Sequence, residues 1–407
     1  MAAFPGPAAV AGAALKWYVE SMKTDMDLLA AVKPGFTTIS PSRDVVASFD
    51  REGRLFSFVE GGLTYRRTLA SEVEVRRRDE ESRLGGRAPR LRRRLGRAET
   101  LAVFARALET AAAVRPLAAG ELRRRLEEEI LPWTPEALLA EAERFRRVYK
   151  PISILPPDQY LSVVLQATEG CTWNRCTFCT FYQDRPFHVK SEDEFQRHVD
   201  EVRAFLGRGV LMRKSVFLGD GNALALTQRR LVPLFEITRA AFPEMPIYSF
   251  IDVYTGERKT VADWRELAAL GLRRVYIGME TGLDELLRLL NKPGSRDELV
   301  DFVARLKAAG VLVGLIVMIG VGGLEYREAH AEATLATLET LPLGPGDLVY
   351  ISPFIEHPAS VYAAQRQAMG LTPMSEEDIE EELQRWARRL RAAGLKAARY
   401  DIREFLY

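Results

Sequence analysis

Two textures of hydrophobic patterning divide the chain. From about residue 160, apolar runs of strand length recur at 161–166, 215–218, 246–251, 274–277, 311–319 and 348–352. Amphipathic helices lie between them. One opens at Ser191, with Glu194 completing a capping box ahead of a stripe of Phe195, Val199, Val202 and Leu206. Another opens at Ser295 and Glu298, runs through Leu299, Phe302, Val303 and Leu306, and stops at Gly310. Strand–helix alternation of this kind specifies a parallel sheet. Six strands are too few for an eight-stranded barrel, so the expectation is a partial one, with its active site at the C-terminal strand ends.

The first 150 residues read differently. Short β-type runs between Val45 and Val75 are broken by Asp50-Arg51-Glu52-Gly53 and Glu60-Gly61-Gly62, which predicts antiparallel hairpins. Arg76 to Arg97 holds ten Arg and three acids around a Gly-Gly-Arg-Ala-Pro break, read as an exposed loop or poorly ordered segment. Thr134-Pro135 opens a helix with Leu138, Ala142, Phe145 and Tyr149 on its apolar face. At the other end, Ile379, Leu383, Trp386 and Leu390 mark a helix that Gly394 ends, followed by an apolar edge strand or tail. The predicted fold is therefore α/β: a small N-terminal α+β accessory domain (1–150), a partial TIM-type (β/α)6 barrel (151–358) and a C-terminal helical extension (359–407).

Charge narrows the function classes little. Lys+Arg 57 against Asp+Glu 56 leaves a net charge of +1 and no global field for nucleic acid or membrane. No apolar run reaches the roughly 20 residues of a membrane span. The N-terminus lacks the positive charge of a signal peptide, so the cytoplasm is the expected compartment. Arg outnumbers Lys 47 to 10 across the chain, which discounts the Arg-rich run as a phosphate grip. That run also holds no aromatic for base stacking, so nucleic acid is a possible but not a favoured partner.

Cysteine changes the picture. The chain has three, Cys171, Cys176 and Cys179, all in one loop immediately after the first barrel strand. Three thiolates suit zinc, iron–sulfur or Cu(I). A structural zinc site normally takes four protein ligands; there is no fourth Cys, and His188 has no paired partner at finger spacing. Three thiolates do fit a [4Fe-4S] cluster with one iron left open for a ligand.

These features resemble the radical S-adenosylmethionine (radical SAM) superfamily, whose usual signature is C-x3-C-x2-C after the first strand of a partial (β/α)6 barrel. Here Thr172-Trp173-Asn174-Arg175 makes the first spacer one residue longer, and Phe178 supplies the aromatic before the last Cys. Phe217-Leu218-Gly219-Asp220-Gly221-Asn222 follows the second strand, where the family binds the methionine amine. Tyr276-Ile277-Gly278-Met279-Glu280-Thr281-Gly282 follows the fourth and is similar to the family's Gly-x-Glu-Ser-Gly turn. The resemblance covers roughly residues 160–355.

It implies that Cys171, Cys176 and Cys179 hold a [4Fe-4S] cluster and that S-adenosylmethionine binds its open iron. The cofactor-binding candidates it suggests are Phe178, Gly219, Asp220, Gly221, Asp252 and Glu280, with Ile316 of the fifth strand flanking the adenine. It also implies an external one-electron donor of flavodoxin or ferredoxin type. With no Cys left for auxiliary clusters or thiol-dependent methyl transfer, a single-cluster enzyme on an unnamed substrate is the expected function. His357 is a candidate acid or base and equally a structural histidine. An RNA-modifying enzyme, a zinc-stabilised binding module and an electron-transfer protein are the rival readings.

Overall fold

The computed structural model describes residues 29–77 and 92–407. They divide into two compact units on either side of the Ala142–Glu143 link. In the first, strands β1 (Leu29–Val32), β2 (Phe36–Ser42), β3 (Val45–Asp50), β4 (Leu55–Glu60), β5 (Leu63–Arg67), β6 (Val73–Arg77) and β7 (Arg92–Arg94) pair in chain order as an antiparallel meander. Alternation puts Ile39, Ala47, Phe49, Phe58 and Val73 on one buried face. Helix α1 (Arg97–Val114) covers that face with Val103, Phe104, Ala107 and Ala111. Helices α2 (Gly120–Arg125) and α3 (Pro135–Val148) follow.

The Arg-rich run is not a loop where it is described. Arg76 and Arg77 end β6, Arg92 to Arg94 form β7, and Arg97 opens α1. Ion pairing explains the difference. Arg76 and Arg92 both hold Glu74, Arg94 holds Glu72, and Arg93 holds Glu99. Guanidinium groups engaged this way are not a free phosphate grip. Residues 78–91, the middle of the run, lie outside the described residues.

The second unit carries the strand–helix repeat. Its strands are β8 (Ser162–Gln166), the short β9 (Thr168–Glu169) and β10 (His188–Val189), β11 (Ser215–Gly219), β12 (Ile247–Ile251), β13 (Leu272–Glu280), β14 (Leu312–Ile319), β15 (Leu348–Pro353) and β16 (Ala397–Arg399). Between them come α4 (Glu192–Leu206), α5 (Gln228–Ala241), α6 (Val253–Gly256), α7 (Val261–Ala269), α8 (Asp284–Leu289), α9 (Arg296–Ala308), α10 (Gly323–Thr340), α11 (Val361–Ala368) and α12 (Glu376–Ala392). The large sheet runs β8-β11-β12-β13-β14-β15-β16, every neighbour parallel. This sequential order is a partial TIM-type barrel. The capping box at Ser191 and the Ser295 cap form as the pattern predicts. The C-terminal helix does more than extend the domain: α12 packs on β14, β15 and β16, so the repeat continues to a seventh parallel strand.

The barrel is plugged at its N-terminal end and along its open side. Asp158 accepts from the hydroxyls of Tyr276 (2.6 Å) and Tyr350 (2.7 Å) and pairs with Arg274 (2.8 Å). Above this floor Phe217, Phe250, Tyr276 and Tyr350 stack through the lumen, with centroids 5.0 to 6.5 Å apart, a packed interior and not a pore. The free edge of β8 would expose backbone groups. Tyr407 Oη accepts from Val164 N (2.9 Å) and donates to Ser162 O (3.0 Å), while Tyr149 Oη donates to Val164 O (3.1 Å).

Candidate active site

The three thiols sit on a long excursion between β9 and β10. These two strands pair antiparallel, His188 opposite Glu169 and Val189 opposite Thr168, and close the stem of the loop. A Lys190–Glu169 ion pair at 3.0 Å reinforces the stem. The loop then docks on the turn after α8. Thr177 N and Oγ1 donate to Leu290 O (2.9 Å) and Leu289 O (3.1 Å). Trp173 Nε1 donates to Asn291 O (2.8 Å), and Asn291 Nδ2 returns a bond to Arg175 O (2.8 Å). Within the first spacer Asn174 has φ +46°, a conformation Asn tolerates better than most residues.

The turn after β11 meets the loop from the other side. Asp220 N donates to Thr168 O (3.0 Å), and Thr168 Oγ1 donates to Asp220 O (2.9 Å). Gly221 has φ +35°, and a Cβ there would lie 2.0 Å from Gly170 O and 3.1 Å from Cys171 Cα. Only glycine lets the two backbones approach this closely. Asn222 hydrogen-bonds Asp252 and Thr255 (2.9 Å) and reaches Thr172 at 3.4 Å, tying the ends of β11 and β12 to the loop.

Glu280 arrives by a different device. The β13–β14 register slips between Gly278 and Glu280, and Glu280 has φ +59°. Such a bulge re-aims a side chain at a barrel rim. Its carboxylate folds over Gly278, where a Cβ would lie 2.2 Å from Oε1, and pairs with Lys292 Nζ at 2.9 Å. Burial pulls the Lys292 ammonium down, but Glu280 and then Cys176 outweigh it, so its proton is held more firmly than usual.

Burial governs the remaining electrostatics. It pushes the Cys176 thiol up to about 12, with Lys292 opposing, and raises Cys179 as well. Thiols raised in this way become thiolates when a cationic centre compensates them. Among the described residues no three His, Cys, Asp or Glu side chains converge on one ion; a cubane takes one thiolate per iron. Three free thiols on one loop offer the donor chemistry of such a cluster. Asp220 is 8% exposed, and burial raises its carboxyl to about 6. Oδ1 accepts from Gly221 N (3.0 Å). Oδ2 lacks a hydrogen bond and faces Arg185 Nη1 at 3.5 Å. An under-satisfied buried carboxylate fits an ammonium group.

The other expected residues fall into two sets. Gly219 ends β11 and accepts from Ala167 N (2.5 Å), at the mouth. Ile316 is opposite Gly278 and Tyr350 in the ladder, half-buried in the upper lumen. Asp252, by contrast, has both oxygens engaged, Oδ1 by Thr255 N as the cap of α6 and Oδ2 by Asn222. The Phe178 ring packs against Phe354 (6.4 Å) in an apolar cluster with Leu286, Leu290 and Met318. His357 Nδ1 accepts from Ala359 N (3.2 Å) on the exposed turn after β15. Sequence reasoning missed Lys292, Asn222, Arg185 and Tyr182, whose buried hydroxyl bears on the Asp220 carboxyl. Lys292 lies in an Asn-Lys-Pro-Gly turn with no periodicity to announce it.

The Radical SAM superfamily model matches residues 165–336, from the end of β8 into α10. No curated protein matches the chain. Among solved structures it is similar to coproporphyrinogen III oxidase (HemN) from Escherichia coli, described as a radical SAM enzyme, at 17% identity and TM-score 0.44, over 62% of this chain and 56% of that one. It is also similar to methylornithine synthase (PylB), at 17% identity and TM-score 0.41 over 72% and 81%. Elp3 from Methanocaldococcus infernus is similar at 13% identity and TM-score 0.40 over 58% and 56%. The chain thus spans little more than half the length of the HemN and Elp3 structures. Among the described residues no helix is long and apolar enough to cross a membrane. The matched region spans the cysteine loop and the strand ends facing it, so residues 165–336 carry a radical SAM superfamily domain.

Proposed function

We propose that Cys171, Cys176 and Cys179 ligate a [4Fe-4S] cluster and that the mouth of the barrel binds S-adenosylmethionine for hydrogen abstraction from a substrate in the upper lumen. The observation that carries this reading is the docking of one three-thiol loop against the C-terminal ends of β11 and β12 and the turn after α8. When bound, the two groups together supply reductive cleavage of a carbon–sulfur bond and a 5′-deoxyadenosyl radical. The chain's own residues hold and orient. Asp220 offers its unbonded Oδ2 to the methionine ammonium. Lys292, beside Cys176 and Glu280, offers a fixed positive charge to the carboxylate. Glu280 is aimed at the mouth by its bulge, within reach of a ribose hydroxyl. Asn222 and Asp252 position this rim without needing to touch the cofactor. Beneath it the aromatic stack closes the floor and keeps water from the reacting centre.

Anaerobic reconstitution followed by EPR tests this. Iron and sulfide in equal amounts, a reduced-cluster signal that changes on adding S-adenosylmethionine, and 5′-deoxyadenosine as product are expected. Cys176→Ala should abolish all three. Bound zinc without sulfide, or a cluster that yields no 5′-deoxyadenosine, would refute it.

A further inference from the structure

One buried histidine has no part in the chemistry proposed above. His330 stands on α10, 3% exposed, with the ring of Trp386 from α12 against it at 5.2 Å. Its tautomer follows from its partners. Nε2 lies 2.6 Å from Met318 O, which can only accept, so Nε2 carries the proton. Burial pulls the pKa of the ring down to about 4, so Nδ1 keeps its lone pair. That lone pair receives Thr281 Oγ1 at 2.7 Å, with Thr334 Oγ1 beside it at 3.1 Å. Both hydroxyl oxygens in turn accept from the turn after β13. Leu283 N donates to Thr281 Oγ1 (3.0 Å), and Gly282 N donates to Thr334 Oγ1 (2.9 Å). The turn is seated tightly on α10, since a Cβ at Gly282 would lie 2.5 Å from Ala333 O.

This turn begins at Thr281, immediately after Glu280. A φ of +59° at Glu280 is one that a residue other than glycine keeps only where its neighbours over-determine it. On one side the bulge at Gly278 supplies that constraint; on the other it comes from the turn. Packing against Trp386 would be served as well by a phenyl ring. Two hydroxyl protons aimed at one nitrogen would not. We infer that His330 is a positioning residue for Glu280: as acceptor for Thr281 and Thr334, it fixes the turn that aims the Glu280 carboxylate at the barrel mouth. The inference rests on the proposed function, which gives Glu280 its contact with the cofactor.

Two substitutions separate the acceptor from the packing. His330→Phe keeps a ring against Trp386 and removes the acceptor, whereas His330→Asn gives up the ring and keeps an acceptor oxygen near the place of Nδ1. Amide exchange at Gly282 and Leu283 in the metal-free protein should be about tenfold faster in His330→Phe and close to wild type in His330→Asn. The reconstituted His330→Phe protein should bind S-adenosylmethionine about tenfold more weakly with iron and sulfide per chain unchanged, and His330→Asn should recover most of that loss. Thr281→Val, which drops the hydroxyl at nearly constant volume, should repeat the His330→Phe result. In a Glu280→Gln background His330→Phe should cost no further affinity, because it acts through that carboxylate. An Asn variant worse than the Phe variant in both exchange and affinity overturns the inference, as does a loss that adds in full to that of Glu280→Gln. Wild-type affinity in Glu280→Gln alone would defeat the proposed role of Glu280 instead, and the exchange rates would still decide whether His330 holds the turn.

Discussion

Replacing Asp220 by asparagine should stabilise the metal-free protein while weakening its hold on S-adenosylmethionine. Burial raises the carboxyl from 3.8 to about 6, so folding prefers the neutral form. Each tenfold in proton affinity is about 1.4 kcal/mol, which puts the cost of carrying this charge into the fold at about 3 kcal/mol. The sign follows from proton counting. Between pH 4 and 6 the folded chain binds more protons here than the unfolded one, so this group's contribution to stability falls as pH rises through that window. Below it the penalty is absent; above it the penalty is complete. Asparagine keeps the bond from Gly221 N to Oδ1 but loses the ionic contact with Arg185 at 3.5 Å. The net gain at pH 8 should then be about 1–2 kcal/mol.

Urea unfolding of both metal-free proteins at pH 8, 6 and 4 measures it. The variant should be the more stable at pH 8, with the gap closing by pH 4. Affinity for S-adenosylmethionine should drop about 10- to 100-fold, the worth of one charge-assisted hydrogen bond. A variant less stable than wild type at pH 8, or a gap indifferent to pH, would show that Asp220 is already satisfied within the chain.

Three further substitutions probe the frame around this group. Lys292→Met leaves Glu280 buried without its partner and should cost about 3–5 kcal/mol in urea unfolding, most of it recovered in Lys292→Met with Glu280→Gln. Gly221→Ala puts a methyl 2.0 Å from Gly170 O; iron and sulfide per chain after reconstitution should fall, because the cysteine loop can no longer seat on the β11 turn. Tyr407→Phe removes the hydroxyl that serves Val164 N and Ser162 O and should lower unfolding free energy by about 1–3 kcal/mol without changing iron content.

What the sequence made legible follows the range over which each signal acts. Strand–helix alternation and the Ser191 capping box are local, so the parallel barrel and its helices could be read directly. The cysteine loop was legible because its three thiols are close in the chain. Lys292 was not, because its partner Glu280 is twelve residues away across a helix and only the bulge at Gly278 brings them together. In the Arg-rich run the described Arg77, Arg93, Arg94 and Arg97 are exposed as expected, but the run's pairing was not legible. The acids that hold its arginines are Glu72 in the turn before β6, Glu74 on β6 and Glu99 on α1. Composition counts charges and cannot say which ones face each other across a ladder.

The same distinction explains how the site is built. Its frame rests chiefly on backbone contacts and neutral hydrogen bonds: the Gly170–Gly221 approach, the β9–β10 ladder, and the Thr177 and Trp173 bonds to the turn after α8. These persist whatever the site binds. The titratable groups on that frame are poised differently: burial keeps two thiols neutral and raises one carboxyl to about 6, while Glu280 holds an ammonium charged beside Cys176. A cationic centre among the thiols would favour their ionisation, and an ammonium at Asp220 would offset its buried charge. At pH 8 that carboxylate costs the bare chain stability, and part of the binding free energy should go into relieving it. Asp220→Asn separates the two roles, since it should raise the stability of the empty protein and lower the gain in stability on adding S-adenosylmethionine.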